Sequence, residues 1–217
     1  MAEIEIPYNG GYATINLRLP KKNITILRSK NPTPSKKLDE IIDEALSKPI
    51  GGSRLSKIVK PGKKIAIIFD DFTRPTPVSL IIPQILEELK SGGVSNKDVS
   101  FICANGMHAP DFMNEELLRK KVGDRIYEEY EVSTHDAYDY NKLKFVGVTN
   151  CLGTPLFINK KVAESDIKIA IGRIAPHGDV GYSGGAKMIM PGVAGIWSII
   201  HNHTGSYPRR GWFRFHY

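Results

Sequence analysis

The 217-residue sequence is 41% apolar and 24% charged, ordinary values for a globular chain long enough to bury a core. No apolar run is long enough to span a bilayer, and the start Met-Ala-Glu-Ile-Glu lacks a basic signal-peptide region, which argues against a membrane partner or secretion and leads us to expect the cytoplasm. The formal charge of +7 is spread along the chain with no recurring aromatic-basic stripe, so it suits an anionic small ligand better than nucleic acid, and two cysteines are too few for a disulfide framework.

Residues 4–7, 14–17 and 23–26 read as short strands punctuated by Gly10-Gly11 and Pro20, predicting a small antiparallel β unit over residues 1–30 packed on the main domain. Pro32 and Pro34 then break the chain, and Ser35 is placed to cap a helix carrying Leu38, Ile41, Ile42 and Leu46 at helical spacing. Residues 64–69 predict a buried strand, residues 77–89 a helix with Leu80, Ile81, Ile85 and Leu89 inward, and residues 99–104 a second strand. Next come a helix over residues 115–122 capped by Asn114, and strands near Glu131, at residues 145–148 and at residues 167–171. Strand and helix in alternation imply parallel pairing with crossover helices. The expected fold is therefore α/β, a Rossmann-like, mostly parallel sheet flanked by helices over residues 31–205. Pro191 suits the first turn of a last helix in which Val193, Ile196, Trp197 and Ile200 repeat; His203 continues that face, and His201 is rotated about 100° from Ile200. Residues 206–217 have neither helical nor strand period and are expected to form an irregular tail.

Open parallel sheets bind ligands beyond the carboxyl ends of their strands, and the chemically unusual residues lie there. Asp70 to Pro77 follows the first predicted strand, Asn105 to Pro110 the second, and a glycine-rich stretch from Gly172 to Lys187, holding His177, the last. Glycine at that density permits sharp turns and close backbone approach to a ligand. The stretch matches neither a P-loop nor a dinucleotide fingerprint. Gly181-Tyr182-Ser183-Gly184-Gly185 matches a hydrolase nucleophile elbow, but three glycine or proline breaks separate it from the strand and no acid stands between Ala186 and Asn202, so Ser183 is not read as a nucleophile. Each candidate also has a structural reading: Asp71 as a helix cap pairing Arg74, His108 as an ordinary loop residue, His203 as a satisfied core histidine. Lys187 is harder to explain that way, because a cation near a helix N-terminus faces the unfavourable end of the dipole.

Taken together, Asp71-Phe72-Thr73-Arg74-Pro75, Asn105-Gly106-Met107-His108, His177, Gly181 to Lys187, Pro191-Gly192 and His203 resemble the nickel-dependent lactate racemase family. The resemblance runs from about Ile65 to His203 and implies a nickel-pincer nucleotide, a pyridinium-3,5-bisthiocarboxylic acid mononucleotide, bound covalently as a thioamide on Lys187. It implies His203 as the nickel ligand, and Asp71, Thr73, Tyr182, Ser183, Gly184 and Gly185 around the cofactor. The activity it implies is racemisation or epimerisation of a small 2-hydroxy acid, with hydride leaving to the cofactor and returning to the other face. Because the hydroxyl proton must leave with the hydride, a general base is needed on each side; His108 and His177 match those two bases, Asp71 orients His108, and Arg74 grips the substrate carboxylate.

Members of the family continue past the nickel-binding His into a second domain, whereas this sequence ends at Tyr217. A truncated product, or a half needing a separate chain for the second domain, is the expectation, with cofactor maturation enzymes as further partners. Two other readings stand beside the racemase: a non-catalytic remnant or ligand-binding module of the same fold, and a zinc site built from His177, His201 and His203, for which a Glu or Asp base is expected and the only near acid is Asp179.

Overall fold

The protein is described from a computed structural model covering residues 2–8, 11–27, 36–178 and 180–206; Ser35, Asp179 and the expected tail beyond Ser206 lie outside the described residues. Two compact units, Met1–Lys37 and Leu38–Tyr217, divide the chain. In the first, β1 (Ala2–Tyr8) and β2 (Gly11–Leu17) pair antiparallel from Ala2↔Leu17 to Tyr8↔Gly11. The third strand expected at residues 23–26 does not form. Pro20 turns the chain into a single 3₁₀ turn in which Asn23 and Ile24 donate their N–H groups to the carbonyls of Pro20 and Lys21, so neither is available to a ladder.

The second unit opens with α1 (Leu38–Ser47), which buries only Ile42, and the short α2 (Leu55–Ile58). Its centre is a four-stranded parallel sheet in the order β5-β4-β3-β8, formed by β3 (Ile65–Asp70), β4 (Val99–Ala104), β5 (Glu131–Thr134) and β8 (Ile167–Ile171). Every residue of β3 is buried, as expected of a central strand covered on both faces. On one face Ile65, Ile67, Phe69 and Phe101 pack against Val78, Ile82, Ile85 and Leu89 of α3 (Val78–Ser91), together with Leu118 and Val122 of α4 (Glu115–Val122) and Ile126 of α5 (Asp124–Glu129). On the other, Ala66, Ile68 and Ile102 meet Val162 of α6 (Lys160–Glu164), Val193, Ala194 and Ile199. A parallel sheet with helices on both faces is the expected Rossmann-like α/β layering. Asn114 caps α4 as expected, accepting the Leu117 N–H at 3.0 Å. Among the described residues no helix is long and apolar enough to cross a membrane.

Three elements depart from expectation. In α3 the inward row is Val78, Ile82, Ile85 and Leu89, and Leu80 is exposed; the helix is apolar on more than one side, so periodicity alone does not fix its phase. The strand at residues 145–148 belongs to β6 (Leu143–Val148), which pairs antiparallel with β7 (Pro155–Asn159) in a separate two-stranded sheet. Residues 135–142, which join β5 to β6, are too few for a crossover helix. Finally, Pro191 does not start a helix: the last helix, α7, runs Ile196–Ser206. The amides of Gly195 and Ile196 bond instead to the carbonyls of Phe157 and Ala137, and Val193 O accepts the Asn159 N–H. This holds residues 193–196 along β7, so Ser198 and Ile199 turn inward while Trp197 and Ile200 are exposed.

Candidate active site

Because β4, β3 and β8 are adjacent and parallel, their three carboxyl-terminal loops emerge side by side. They wall a crevice of about 260 Å³ that includes Asp71, Arg74, His108, His177, Ser183, Gly184, Lys187 and His203. Thr73, Tyr182 and Gly185, also expected near a cofactor, are not on its wall. The Thr73 side chain is turned to Asp71, and Tyr182 is exposed.

Asp71 leaves the end of β3 buried, with both carboxylate oxygens engaged. Oδ1 accepts the Thr73 N–H at 2.9 Å and the Thr73 hydroxyl, and Oδ2 lies 2.8 Å from His108 Nδ1. A carboxylate only accepts, so it holds the neutral imidazole's proton on Nδ1 and leaves Nε2 as the basic nitrogen. The His108 side chain itself is about half exposed, backed by Phe112, whose ring centroid lies 5.1 Å away. Arg74 closes the same turn, its N–H donating to Asp71 O at 3.1 Å.

On the β8 side the glycine-rich stretch is ordered by its own backbone. A two-residue antiparallel pair, β9 (Pro176–His177) with β10 (Gly181–Tyr182), sets Gly181 opposite His177. Below it the Ser183 hydroxyl lies 2.9 Å from Arg173 O and 3.2 Å from Ala175 O and accepts the Ala175 N–H at 3.0 Å. That hydroxyl fastens the loop through the backbone of Arg173 and Ala175, in keeping with the sequence-based rejection of a nucleophile elbow. Gly184, at φ +74°, lets the turn pass so near Arg173 that a Cβ would sit 2.9 Å from its carbonyl oxygen. Lys187 follows in a 3₁₀ turn, Gly185–Met188, and the Gly192 N–H holds its carbonyl at 2.9 Å.

The two histidines of α7 separate clearly. His203 lies on the crevice, one turn beyond Ile199, and its Nδ1 is 2.8 Å from the Ile199 carbonyl. That contact places the proton on Nδ1 and the ring lone pair on Nε2, a tautomer in which an imidazole could bind a metal. His201 is not on the crevice wall; its Nδ1 is 3.1 Å from the Thr154 hydroxyl. Among the described residues no three His, Cys, Asp or Glu side chains are grouped to hold a metal ion, and the turn of His201 toward Thr154 removes one member of the zinc trio.

The crevice also contains residues to which sequence reasoning gave no role: Asp70, Asn105, Arg173 and Met188. Asp70, Asn105 and Arg173 all stand at strand ends, so the strand-end rule applied residue by residue would have found them. Asn105 is 3% exposed, and neither its Oδ1 nor its Nδ2 has a hydrogen-bond partner.

Comparison with known proteins places this arrangement. A family described as the lactate racemase N-terminal domain matches residues 10–212. The chain is 35% identical over 217 residues to a lactate racemase of Thermoanaerobacterium thermosaccharolyticum, covering 99% of this chain and 50% of that protein. It is 32% identical over 210 residues to one of Lactiplantibacillus plantarum, covering 95% and 48%. It thus spans about half the length of the curated relatives it matches. The solved apoprotein of the Thermoanaerobacterium lactate racemase superposes with a TM-score of 0.80 at 35% identity, over 93% of this chain and 46% of that one. A Thermotoga maritima protein shares the fold with a TM-score of 0.61 at 24% identity, over 79% and 42%. With the family match extending over nearly its whole length, the chain belongs to the lactate racemase N-terminal domain family.

Proposed function

We propose that this chain is the catalytic half of a nickel-dependent racemase of small, lactate-like 2-hydroxy acids, with a nickel-pincer nucleotide attached to Lys187. The observation that carries the proposal is the meeting of His108, His177, Lys187 and His203 on one crevice, from strand ends that flank β3 and from α7. The residues fit such a group. The buried Asn105 amide on the crevice wall is unpartnered, and the Ile199 carbonyl sets the tautomer of His203 for ligation through Nε2. Imidazole beside sulfur donors is a sensible ligand set for nickel. When bound, the group would accept and return the substrate's α-hydrogen as hydride.

The chain's own residues supply the rest. Lys187 offers the amine for attachment and His203 the imidazole ligand. The Arg74 guanidinium, able to grip a carboxylate bidentately, holds the substrate's acid end, and Arg173 adds a second cation at the rim of the crevice. The hydroxyl proton passes to His108 Nε2 for one enantiomer and to His177 for the other, and is given back when the hydrogen returns to carbon. Asp71 stabilises the imidazolium that His108 becomes. Maturation enzymes for the cofactor are the partners this reading requires.

The test is isotopic. L-lactate deuterated at the α-carbon, incubated in ordinary water with chain co-produced with the maturation enzymes, is expected to give D-lactate that keeps its deuterium. D-lactate formed with solvent hydrogen at that carbon would contradict hydride return and favour simple deprotonation.

A further inference from the structure

A buried ion pair with one member, Asp70, on the crevice wall lies outside the groups that the proposed chemistry uses. Asp70, the last residue of β3, and Lys121, on the inner side of α4, are 6% and 9% exposed, with Nζ 2.9 Å from Oδ1. The same ammonium donates to the carbonyl of Asp71 at 3.0 Å and to that of Arg74 at 2.8 Å. Two of the three lysine N–H donors go to those carbonyls, and the contact with Asp70 Oδ1 is an ion pair without hydrogen-bond geometry. On its other side Asp70 Oδ2 accepts the Thr76 hydroxyl at 2.5 Å and the Arg173 N–H at 3.3 Å. One charged pair therefore clasps both ends of the Asp71–Arg74 turn and ties it to the residue that opens the His177 loop.

An interior ion pair adds little net stability, because desolvating two charges cancels most of their attraction. Its contribution here is geometric. We propose that Lys121 and Asp70 are positioning residues: by fixing the carbonyls of Asp71 and Arg74, they hold the Asp71 carboxylate at His108 Nδ1 and so set the tautomer of that imidazole. The functional importance of that tautomer rests on the racemase reading above; the positioning itself does not.

The test is the His108 tautomer, read by long-range proton–nitrogen NMR on the full chain at a pH where the ring is neutral. The unaltered chain should show the Nδ1–H form. In Lys121→Met the Asp71 turn loses both carbonyl anchors, and His108 should become mainly Nε2–H. If that variant does not fold, Asp70→Asn/Lys121→Met, which removes both charges and keeps an acceptor for Thr76 and Arg173, is read instead. Arg54→Met/Glu88→Leu removes a different, part-buried pair and should leave the His108 signal unchanged. The proposal is overturned if the Nδ1–H form persists in a folded Lys121 variant, if it is absent from the unaltered chain, if the Arg54/Glu88 control moves it equally, or if the double variant also fails to fold, which would make the pair an element of stability. A chain that showed the tautomer switch but no racemisation would leave the positioning role standing and refute the functional reading alone.

Discussion

Gly192→Ala couples the packing of the fold to the candidate site. A Cβ on Gly192 would meet Met188 O at 2.4 Å, Met188 C at 2.8 Å and Lys187 O at 2.9 Å, all backbone atoms. Backbone cannot rotate aside as a flexible side-chain tip can, so the turn bearing Lys187 must shift. Overpacking of this kind costs about 1–3 kcal/mol. The shift also strains two hydrogen bonds, from Gly192 N–H to Lys187 O and from Gly106 N–H to Gly192 O, both 2.9 Å, each contributing about 1 kcal/mol. The expected loss is about 3 kcal/mol, which for a slope of roughly 2–3 kcal/mol per molar urea lowers the unfolding midpoint by about 1 M. Gly178, in the same glycine-rich stretch, has nothing within 4 Å of an added Cβ, so Gly178→Ala should stay within about 0.5 kcal/mol of the parent. Urea unfolding followed by circular dichroism measures both. Equal midpoints for the two variants would refute the claim that the Lys187 turn is packed against Gly192.

Three further predictions concern buried groups. Arg54, through its hydrogen bond, holds the Glu88 carboxyl down to about 2 from an ordinary 4.5. Its stabilisation is therefore complete above pH 4.5 and lost as pH falls toward 2; Glu88→Gln should cost about 2 kcal/mol at pH 7 and flatten the melting temperature across that acid range. His135, wholly buried between Ala194 O and Asn159, has its pKa lowered by burial. The unfolded chain takes up its proton first, so stability should fall as pH drops below 6.5, and His135→Gln should abolish that part of the melting profile. Asn105→Leu replaces an unpartnered buried amide with an apolar group of similar shape. Melting of the ligand-free chain should be unchanged or higher, by up to about 1 kcal/mol in stability; a loss beyond about 1 kcal/mol would show that the amide is structural.

The sheet was legible in the sequence because β3 and β4 are short apolar runs bounded by polar loops, the pattern of a buried parallel strand, and β8 alternates as a partly buried edge strand does. The place of the crevice followed from the topology, and the order and spacing of Asp71, His108, His177 and Lys187 along the chain led to the family. Helix faces were less legible. Leu80 and Trp197 are as apolar as the residues that pack, and only the docking of residues 193–196 along β7 decides which side of α7 is buried. His203 lies on the crevice one turn beyond the buried Ile199 and not on a buried Ile200 row, since Trp197 and Ile200 are exposed. Lys121 was missed for a physical reason: a charged residue in a helix pattern signals solvent, and nothing local reveals that its tip reaches Asp70 Oδ1 and the carbonyls of Asp71 and Arg74.

The central claim, that this crevice holds a cofactor covalently on Lys187, is tested most directly by intact-protein mass and nickel analysis of chain co-produced with the cofactor maturation enzymes. The account predicts an added mass mapping to Lys187, one nickel per chain, and neither in a folded Lys187→Ala variant. An unmodified mass without nickel in the parent chain, or the same adduct retained by Lys187→Ala, would contradict it.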